Sequence, residues 1–421
     1  MQALLRRVRS RPDAVYIGLT LWVSLLFALA FTTNLIYYVQ VVGLDPLQMV
    51  LLGTILEGAV LLFEVPTGIL ADLKGRKVSI MVGYVLTGLA FCLQALAPHF
   101  WAVALAQAVW GIGYTFTSGA EQAWIADEVG PERAAQAFSR ARQAAQVASL
   151  VGVALAGLLG AIDLALPVLV CGVGMLAMAG ALPLVMRETG FAPADHADLS
   201  GWQAMLRTAS QAVALARRRP IVLWLLISGV VVGLYSEGYD RLWMPHLLQN
   251  VGLPDAPALP TATWFAGVRM ISAMLGIGVV EFTRRRLLTS HDRRLRWVLS
   301  GAALGIVAGI LVVALAGSFW LAALAVIIIG PLRTATELLR DAWLNRQIDD
   351  PTVRATIFSA LGQADSVGQV VGGPAIGWLA RAVSIPLAMT VSALLLTPVV
   401  PIYALTGRKN TEYIASGNSV G

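Results

Sequence analysis

Charge is what this sequence has least of. Of 421 residues, 13% are Asp, Glu, Lys or Arg, where a soluble protein carries about a quarter; 57% are hydrophobic. Mean hydropathy is +0.74. Water is therefore not the solvent for most of this surface. Residues 14–44, 78–120, 164–186, 297–332 and 382–407 hold no charged residue. Only two cysteines occur, Cys92 and Cys171, both in apolar runs, which excludes a disulfide framework or a cysteine metal site. The four histidines fall in expected loops, so no metal and no other cofactor is expected. No Gly-x-x-x-x-Gly-Lys-Ser/Thr loop is present, which excludes ATP-driven pumping by this chain alone. An enzyme would need a nucleophile–base or metal constellation at mid-depth, and the expected spans lack histidine and clustered ligands.

The apolar runs and their breakers predict twelve spans, since about 20 apolar residues cross a bilayer. They lie near 15–39, 47–71, 78–97, 100–126, 134–161, 165–185, 221–243, 261–282, 297–316, 319–343, 354–380 and 385–405. Arginine and lysine mark alternate loops: Arg6, Arg7, Arg9 and Arg11 before span 1, and Lys74, Arg76 and Lys77 after span 2. The series continues with Arg187 and Arg217–Arg219 between spans 6 and 7, Arg284–Arg286 and Arg293, Arg294, Arg296 after span 8, and Arg408-Lys409 at the end. The opposite loops hold Asp45, His99, Asp163, Arg381 and an acidic–basic stretch around Asp240-Arg241. This bias orients both termini to the cytoplasm. It also accounts for the net charge of +6 without nucleic-acid binding. "MQALLRRVRSRPD" reads as a basic lead to span 1 rather than a cleaved signal, because no small-residue cleavage site follows. Abundant arginine and alanine with scarce lysine point to a GC-rich bacterial genome, and the expected location is the bacterial cytoplasmic membrane.

The chain divides into an N-terminal bundle, 1–186, a cytoplasmic linker, 187–220, and a C-terminal bundle, 221–421. Within the linker, Trp202, Met205, Leu206, Ala209, Val213 and Ala216 share one helical face, the pattern of a helix lying on a membrane surface. The halves are related. "AWIADEVGPERAAQAFSRARQ" and "AWLNRQIDDPTVRATIFSALGQ" align Ala123-Trp124 with Ala342-Trp343 and, after one extra residue, Phe138, Ser139 and Gln143 with Phe358, Ser359 and Gln363. Gly152 and Gly157 likewise match Gly372 and Gly377. Both copies run in one direction, a parallel repeat of the kind that places a binding site near the midplane between halves.

"GILADLKGRK", Gly68 to Lys77, closes span 2. Lys74, Arg76 and Lys77 complement the negative C-terminal end of that helix, but Asp72 sits where the dipole disfavours a carboxylate, so it needs a partner outside its own helix. The stretch resembles the loop signature of the major facilitator superfamily, Gly-x-x-x-Asp-x-x-Gly-Arg-Lys, in Gly68, Asp72, Gly75, Arg76 and Lys77. The resemblance covers essentially the whole chain, and most resembles bacterial drug/proton antiporters. It implies an all-α membrane fold of two pseudo-symmetric six-helix bundles. It also implies a latch in which Asp72 meets the start of span 11. The sequence departs from the family in three places. Leu73 replaces a basic residue, Gln107 stands where proton-coupled members carry an arginine in span 4, and "GVALAGLLG" only partly matches the span 5 antiporter motif. "GQVVGGPAIG" in span 11 is a better copy, and Glu281 with Arg284–Arg286 looks like a decayed second loop signature.

Charges at membrane depth cost several kcal/mol or more, so each needs a function. Glu57 near the middle of span 2, Asp365 halfway along span 11 and Glu237 on span 7 are candidate proton carriers, with hydrogen-bonded packing as the alternative for Glu57. Glu237 either lines the cavity or pairs with Arg241; Glu64 belongs to the latch. Glu121 with Arg140 and Arg142, and Arg333 and Glu337 with Arg340 and Asp341, read as intracellular charge networks. Arg269 would bind an anion or neutralise Glu57 or Asp365. Asn34, Tyr38, Gln94, Gln143, Gln146 and Gln363 offer neutral hydrogen bonds, and Trp110, Tyr114 and Trp264 aromatic walls.

The function expected is a secondary transporter, working as a monomer among membrane lipids by alternating access, that exports small amphipathic compounds in exchange for protons. Uptake or uniport of a sugar or organic anion is the alternative, as is a membrane sensor on the same fold.

Overall fold

The computed structural model describes residues 11–191, 210, 220–254, 259–288, 290–347 and 351–405. All regular structure among them is helical. Fourteen α-helices follow in order: α1 (Pro12–Tyr37), α2 (Pro46–Lys74), α3 (Arg76–Leu96), α4 (Phe100–Thr117), α5 (Ala120–Val129), α6 (Pro131–Ile162), α7 (Leu166–Val185), α8 (Pro220–His246), α9 (Thr261–Arg286), α10 (Asp292–Leu315), α11 (Phe319–Gln347), α12 (Pro351–Ala382), α13 (Ile385–Leu396) and α14 (Val399–Leu405). They make twelve membrane spans, with α4–α5 and α13–α14 each forming one broken span. The surface-helix residues Trp202 to Ala216, Arg217–Arg219, Arg6, Arg7, Arg9 and Arg408-Lys409 lie outside the described residues.

Local chemistry sets the helix ends. Asp45 and Gln48 form a reciprocal capping box at α2, with Asp45 Oδ1 accepting from Gln48 N–H at 2.9 Å and Gln48 Oε1 from Asp45 N–H at 3.1 Å. His99 Nδ1 caps α4 and Ser384 caps α13. Span 4 breaks at Ser118-Gly119, where Gly119 has φ +74°, a conformation that glycine adopts without Cβ strain. Ten spans are long and apolar enough to cross a membrane on composition alone. The other two are α4, of only 18 residues, and α12, which carries Arg354, Asp365 and Arg381.

Two expectations are corrected at span 7. The helix does not stop near residue 243: α8 runs to His246 and continues as a π-turn over Leu247–Val251. Asp240 and Arg241 are therefore inside a helix, not in a loop. His246 is buried in a span end as well, with Nε2 3.0 Å from Val313 O and Nδ1 3.3 Å from Asn250 Oδ1. Polar residues past 243 make the end of the apolar run look like a loop, whereas Asp240, Arg241 and His246 all find partners within the protein.

The described residues group into two compact units. One comprises Met1–Gln48, Ile55–Met205 and Asp255–Met270; the other comprises Met49–Thr54, Leu206–Pro254 and Ile271–Gly421. The first packs α1 on α6, α3 on α4 and α7, and α1 on α7; the second packs α8 on α12, α10 on α11 and α13, and α8 on α13. These are the same span pairs in the same order, the architecture of a parallel repeat. Span 1 and span 7 even end alike, in five-residue π-turns closed by Gly43 (φ +70°) and Gly252 (φ +82°).

The seams explain one of the two matched glycine pairs, Gly152 and Gly372. A Cβ on Gly152 of α6 would overlap Leu25 O of α1, and one on Gly372 of α12 would lie 3.0 Å from Leu234 O of α8. Without a hydrophobic drive between helices in lipid, close backbone approach at small residues carries much of the association. Gly152→Ala and Gly372→Ala should therefore each destabilise the protein by about 1–3 kcal/mol through overpacking. Gly18→Ala and Gly180→Ala, where a Cβ would meet nothing within 4 Å, should stabilise by up to about 1 kcal/mol through helix propensity. Thermal unfolding of the purified variants in one detergent checks the contrast.

Candidate functional site

The signature loop is built around Gly75, which joins α2 to α3 at φ +110°. Asp72, at the end of α2, forms an ion pair with Arg76, the first residue of α3. The acid thus has a partner beyond its own helix. Arg76 Nε also lies 3.9 Å from Asp127 Oδ2 of α5. Lys77 does not serve the end of α2: its ammonium donates to Met186 O at 2.8 Å and Pro183 O at 3.4 Å, the C-terminal carbonyls of α7. It stands at the start of α3, whose first turn adjoins that helix end. A Cβ at Gly68 would meet nothing within 4 Å. Glu281 pairs locally, one turn along its own helix, with Arg284 at 2.9 Å and with Arg285.

Along α2, Glu57 is half-buried and Glu64 exposed, while Tyr114 of α4, also exposed, lies within electrostatic reach of both. Pro66 interrupts the helix just beyond, and Thr67 Oγ1 donates to Phe63 O at 2.8 Å. The expected network of Glu121 with Arg140 and Arg142 does not form. Glu121 accepts from the Tyr84 hydroxyl of α3; Arg140 and Arg142 are exposed on α6, and no ion pair joins either to Glu121 among the described residues. The break at Gly119 turns the first residues of α5 toward α3.

Asn34, Tyr38 and Gln94 meet, but not at a cavity wall. Asn34 Nδ2 donates to Tyr38 Oη at 3.0 Å, Tyr38 Oη to Gln94 Oε1 at 2.8 Å, and Gln94 Nε2 back to Asn34 Oδ1 at 2.6 Å. Gln107 Nε2 joins from α4, 3.0 Å from Tyr38 Oη and 3.1 Å from Gln94 Oε1. All four are 1–5% exposed, so this neutral ring clamps spans 1, 3 and 4 together. The signal for Gln107 was an amide in an apolar run, 13 residues from Gln94 and 69 from Tyr38. Trp110 packs with Phe27, Phe31 and Phe91 at centroid distances of 6.1, 5.3 and 5.4 Å. Arg269 Nη1 donates to Phe31 O at 3.1 Å. Trp264 and Gln146 are half-buried and Gln143 exposed.

The second unit holds a cavity of about 330 Å³, and most of the remaining charged candidates line it. From α8 come Tyr235, Ser236 and Asp240; from α11, Arg333, Glu337, Arg340 and Asp341; from α12, Phe358, Asp365 and Gln369; Tyr403 of α14 and several aliphatic side chains complete the wall. Arg333 grips Asp240 with both terminal nitrogens, the Nη2–Oδ2 contact measuring 2.9 Å, a bidentate geometry that strengthens the pair. The same guanidinium lies 5.8 Å from the ring centroids of Tyr235 and Tyr239. Arg340 holds Asp341 at 3.1 Å, and Gln369 Nε2 donates to Asp365 Oδ2 at 2.8 Å. Glu337 has Arg333 and Arg340 one turn to either side, yet makes no direct ion pair among the described residues. Asp240 as the partner of Arg333 was not read from the sequence, since 93 residues separate them. Gln363 is half-buried on α12 outside this lining. Glu237 also stays outside, buried and 3.4 Å from Arg241, with its carboxylate over Gly53, where a Cβ would overlap it.

A sequence profile of the Major Facilitator Superfamily matches residues 15–336. An MFS-type transporter of Bacillus subtilis (strain 168), YxaM, is 23% identical over 203 residues, 48% of this chain and 51% of that protein. The chain thus aligns with about half the length of this curated relative. Among solved structures, the nucleoside transporter NupG superposes with a TM-score of 0.73 at 13% identity, covering 94% of this chain and 99% of that one. A bacterial homologue of the human lysosomal transporter Spinster gives 0.72 at 16%, covering 96% and 98%. A POT family transporter in complex with 5-aminolevulinic acid gives 0.72 at 12%, covering 95% and 96%. At these identities the structures establish the fold. With the profile spanning most of the chain, the protein belongs to the Major Facilitator Superfamily and is a multi-pass membrane transporter.

Proposed function

We propose that this transporter exchanges protons for small amphipathic organic compounds, moving them outward by alternating access as a monomer in a bacterial cytoplasmic membrane, with both termini inside. The observation that carries this reading is the charge balance of the cavity in the second unit. Four carboxylates, Asp240, Glu337, Asp341 and Asp365, face two guanidiniums, Arg333 and Arg340, beside tyrosine, phenylalanine and aliphatic walls. An excess of carboxylates in a restricted space holds protons and releases them to a competing cation. The aromatic and aliphatic surface suits the apolar part of such a compound.

Asp365 and Glu57 are the proton carriers in this reading, and Gly68, Asp72, Gly75, Arg76, Lys77 and Glu64 form the conformational latch. Sugar uptake fits less well, because the amides it would use, Asn34 and Gln94, are buried and consumed in their own ring with Tyr38. Flux separates the transporter from a membrane sensor on this fold.

In proteoliposomes containing a pH-quenched dye, ethidium should drive proton release by the wild type. Asp365→Asn or Glu57→Gln should reduce this more than about tenfold, and Asp72→Asn should slow turnover while ethidium binding persists. Protein that binds ethidium or a neutral drug but moves protons with neither would overturn proton exchange.

The Asp240–Arg333 pair gives a further check. Asp240→Asn and Arg333→Gln should each depress flux strongly, since either leaves one partner of a close pair behind. The double variant should recover part of it, the non-additivity expected of coupled residues. Equal or greater loss in the double variant would show that the two side chains act separately.

A further inference from the structure

The start of the 187–220 segment is stitched into the first unit residue by residue. Trp124 Nε1 donates to Arg187 O at 2.6 Å. Glu188 Oε1 accepts the backbone N–H of Lys77 at 2.9 Å. Glu128, at the end of α5, accepts from Thr189 Oγ1 at 2.9 Å, from Gly190 N–H at 2.8 Å and from Thr189 N–H. A Cβ on Gly190 would overlap Asp127 O, so the chain runs flush against α5 there.

Glu188 has the most consequential place. The first turn of α3 leaves backbone N–H groups without intrahelical acceptors, and its N-cap residue, Gly75, has no side chain to supply one. Glu188 supplies it from 111 residues away. Its carboxylate also sits favourably at the positive end of the helix dipole. The fit leaves no room for another residue at the cap: a Cβ at Gly75 would come 2.8 Å from Glu188 Oε2. The signature glycine is therefore required twice, by its positive φ and by the carboxylate packed over it.

We propose that Glu188 is a positioning residue of the transport cycle, tying the signature loop to the start of the 187–220 segment. The inference rests on the latch reading above. Residues 187–190 bridge the α2–α3 junction and the end of α5, while Arg76 faces Asp72 on one side and Asp127 on the other. The α3 first turn then cannot shift against α5 without dragging this strap or breaking the Glu188 cap. The strap thereby sets the position from which Arg76 and Asp72 act.

Hydrogen–deuterium exchange of the full-length protein in lipid nanodiscs tests this without a substrate. Its outcome is thus independent of whether protons are exchanged. Glu188→Ala should raise exchange at residues 76–80 about fivefold, the loss of one capping hydrogen bond. It should also alter exchange more than twofold at the π-turn over Tyr38–Val42, at the far end of α1. Glu188→Gln keeps an acceptor oxygen and should restore both regions to near wild type. Glu128→Ala, which loosens the strap and leaves Glu188 in place, should move both in the direction of Glu188→Ala and provides the reading if that variant does not fold. Unchanged exchange at 76–80 overturns the proposal. So does a change confined to 76–80, which would make Glu188 a local cap and nothing more.

Discussion

Hydrocarbon offers no hydrogen bonds, so every backbone N–H and C=O at membrane depth must be satisfied within the chain. That constraint makes the fold helical and fixes where helices break. Breaks fall at Ser118-Gly119 and near Pro398, and at the span 1 and span 7 ends glycine closes a π-turn. It also decides how helices adhere. Lipid tails are as apolar as leucine, so contact between apolar faces gains little. The α1–α6 and α8–α12 seams rely instead on glycines that bring backbones together. The repeat survives in the sequence at these glycines because the packing tolerates no side chain there.

The same constraint sorts polar side chains into two chemistries. In the first unit Asn34, Tyr38 and Gln94 form a neutral, nearly inaccessible ring that Gln107 joins through its amide nitrogen, leaving Gln107 Oε1 buried without a partner among the described residues. A neutral ring stabilises packing without the desolvation cost of burying ions. In the second unit the comparable effort is ionic and lines open volume. A carboxylate such as Glu337, with two guanidiniums within a turn and no direct pair among the described residues, has alternatives that an amide ring lacks. Such a set can change partners as its protonation changes, and that underlies the transport reading.

Much of the architecture was legible because it follows from period and composition: the spans, the parallel repeat, and the i,i+4 neighbours Glu237 and Arg241. The signature loop was legible as a motif. What escaped was tertiary. Nothing local shows that Gln107 completes a ring with residues on spans 1 and 3, or that Arg333 grips Asp240 rather than the nearer Glu337. Span 7 also runs further than its apolar residues suggest, since His246 lies inside a helix that continues as a π-turn to Val251, with its imidazole buried against Val313 O and Asn250. Glu121 misled too: sequence proximity to arginines suggested an ion pair, but a glycine turn aims it at a tyrosine.

The placement of Asp72 is explained only when these levels are combined. A carboxylate at a helix C-terminus is unfavourable alone, but here the next helix begins two residues after α2 ends, and its first side chain is an arginine. The turn that permits this needs φ +110°, hence glycine, and glycine cannot cap the helix it begins. The cap must then come from elsewhere, and Glu188 provides it from the far side of the unit's sequence. One backbone angle at Gly75 thus requires both the ion pair before it and the long-range carboxylate after it. That dependence is why a ten-residue motif describes the loop incompletely: one of the groups that shapes it lies more than a hundred residues away.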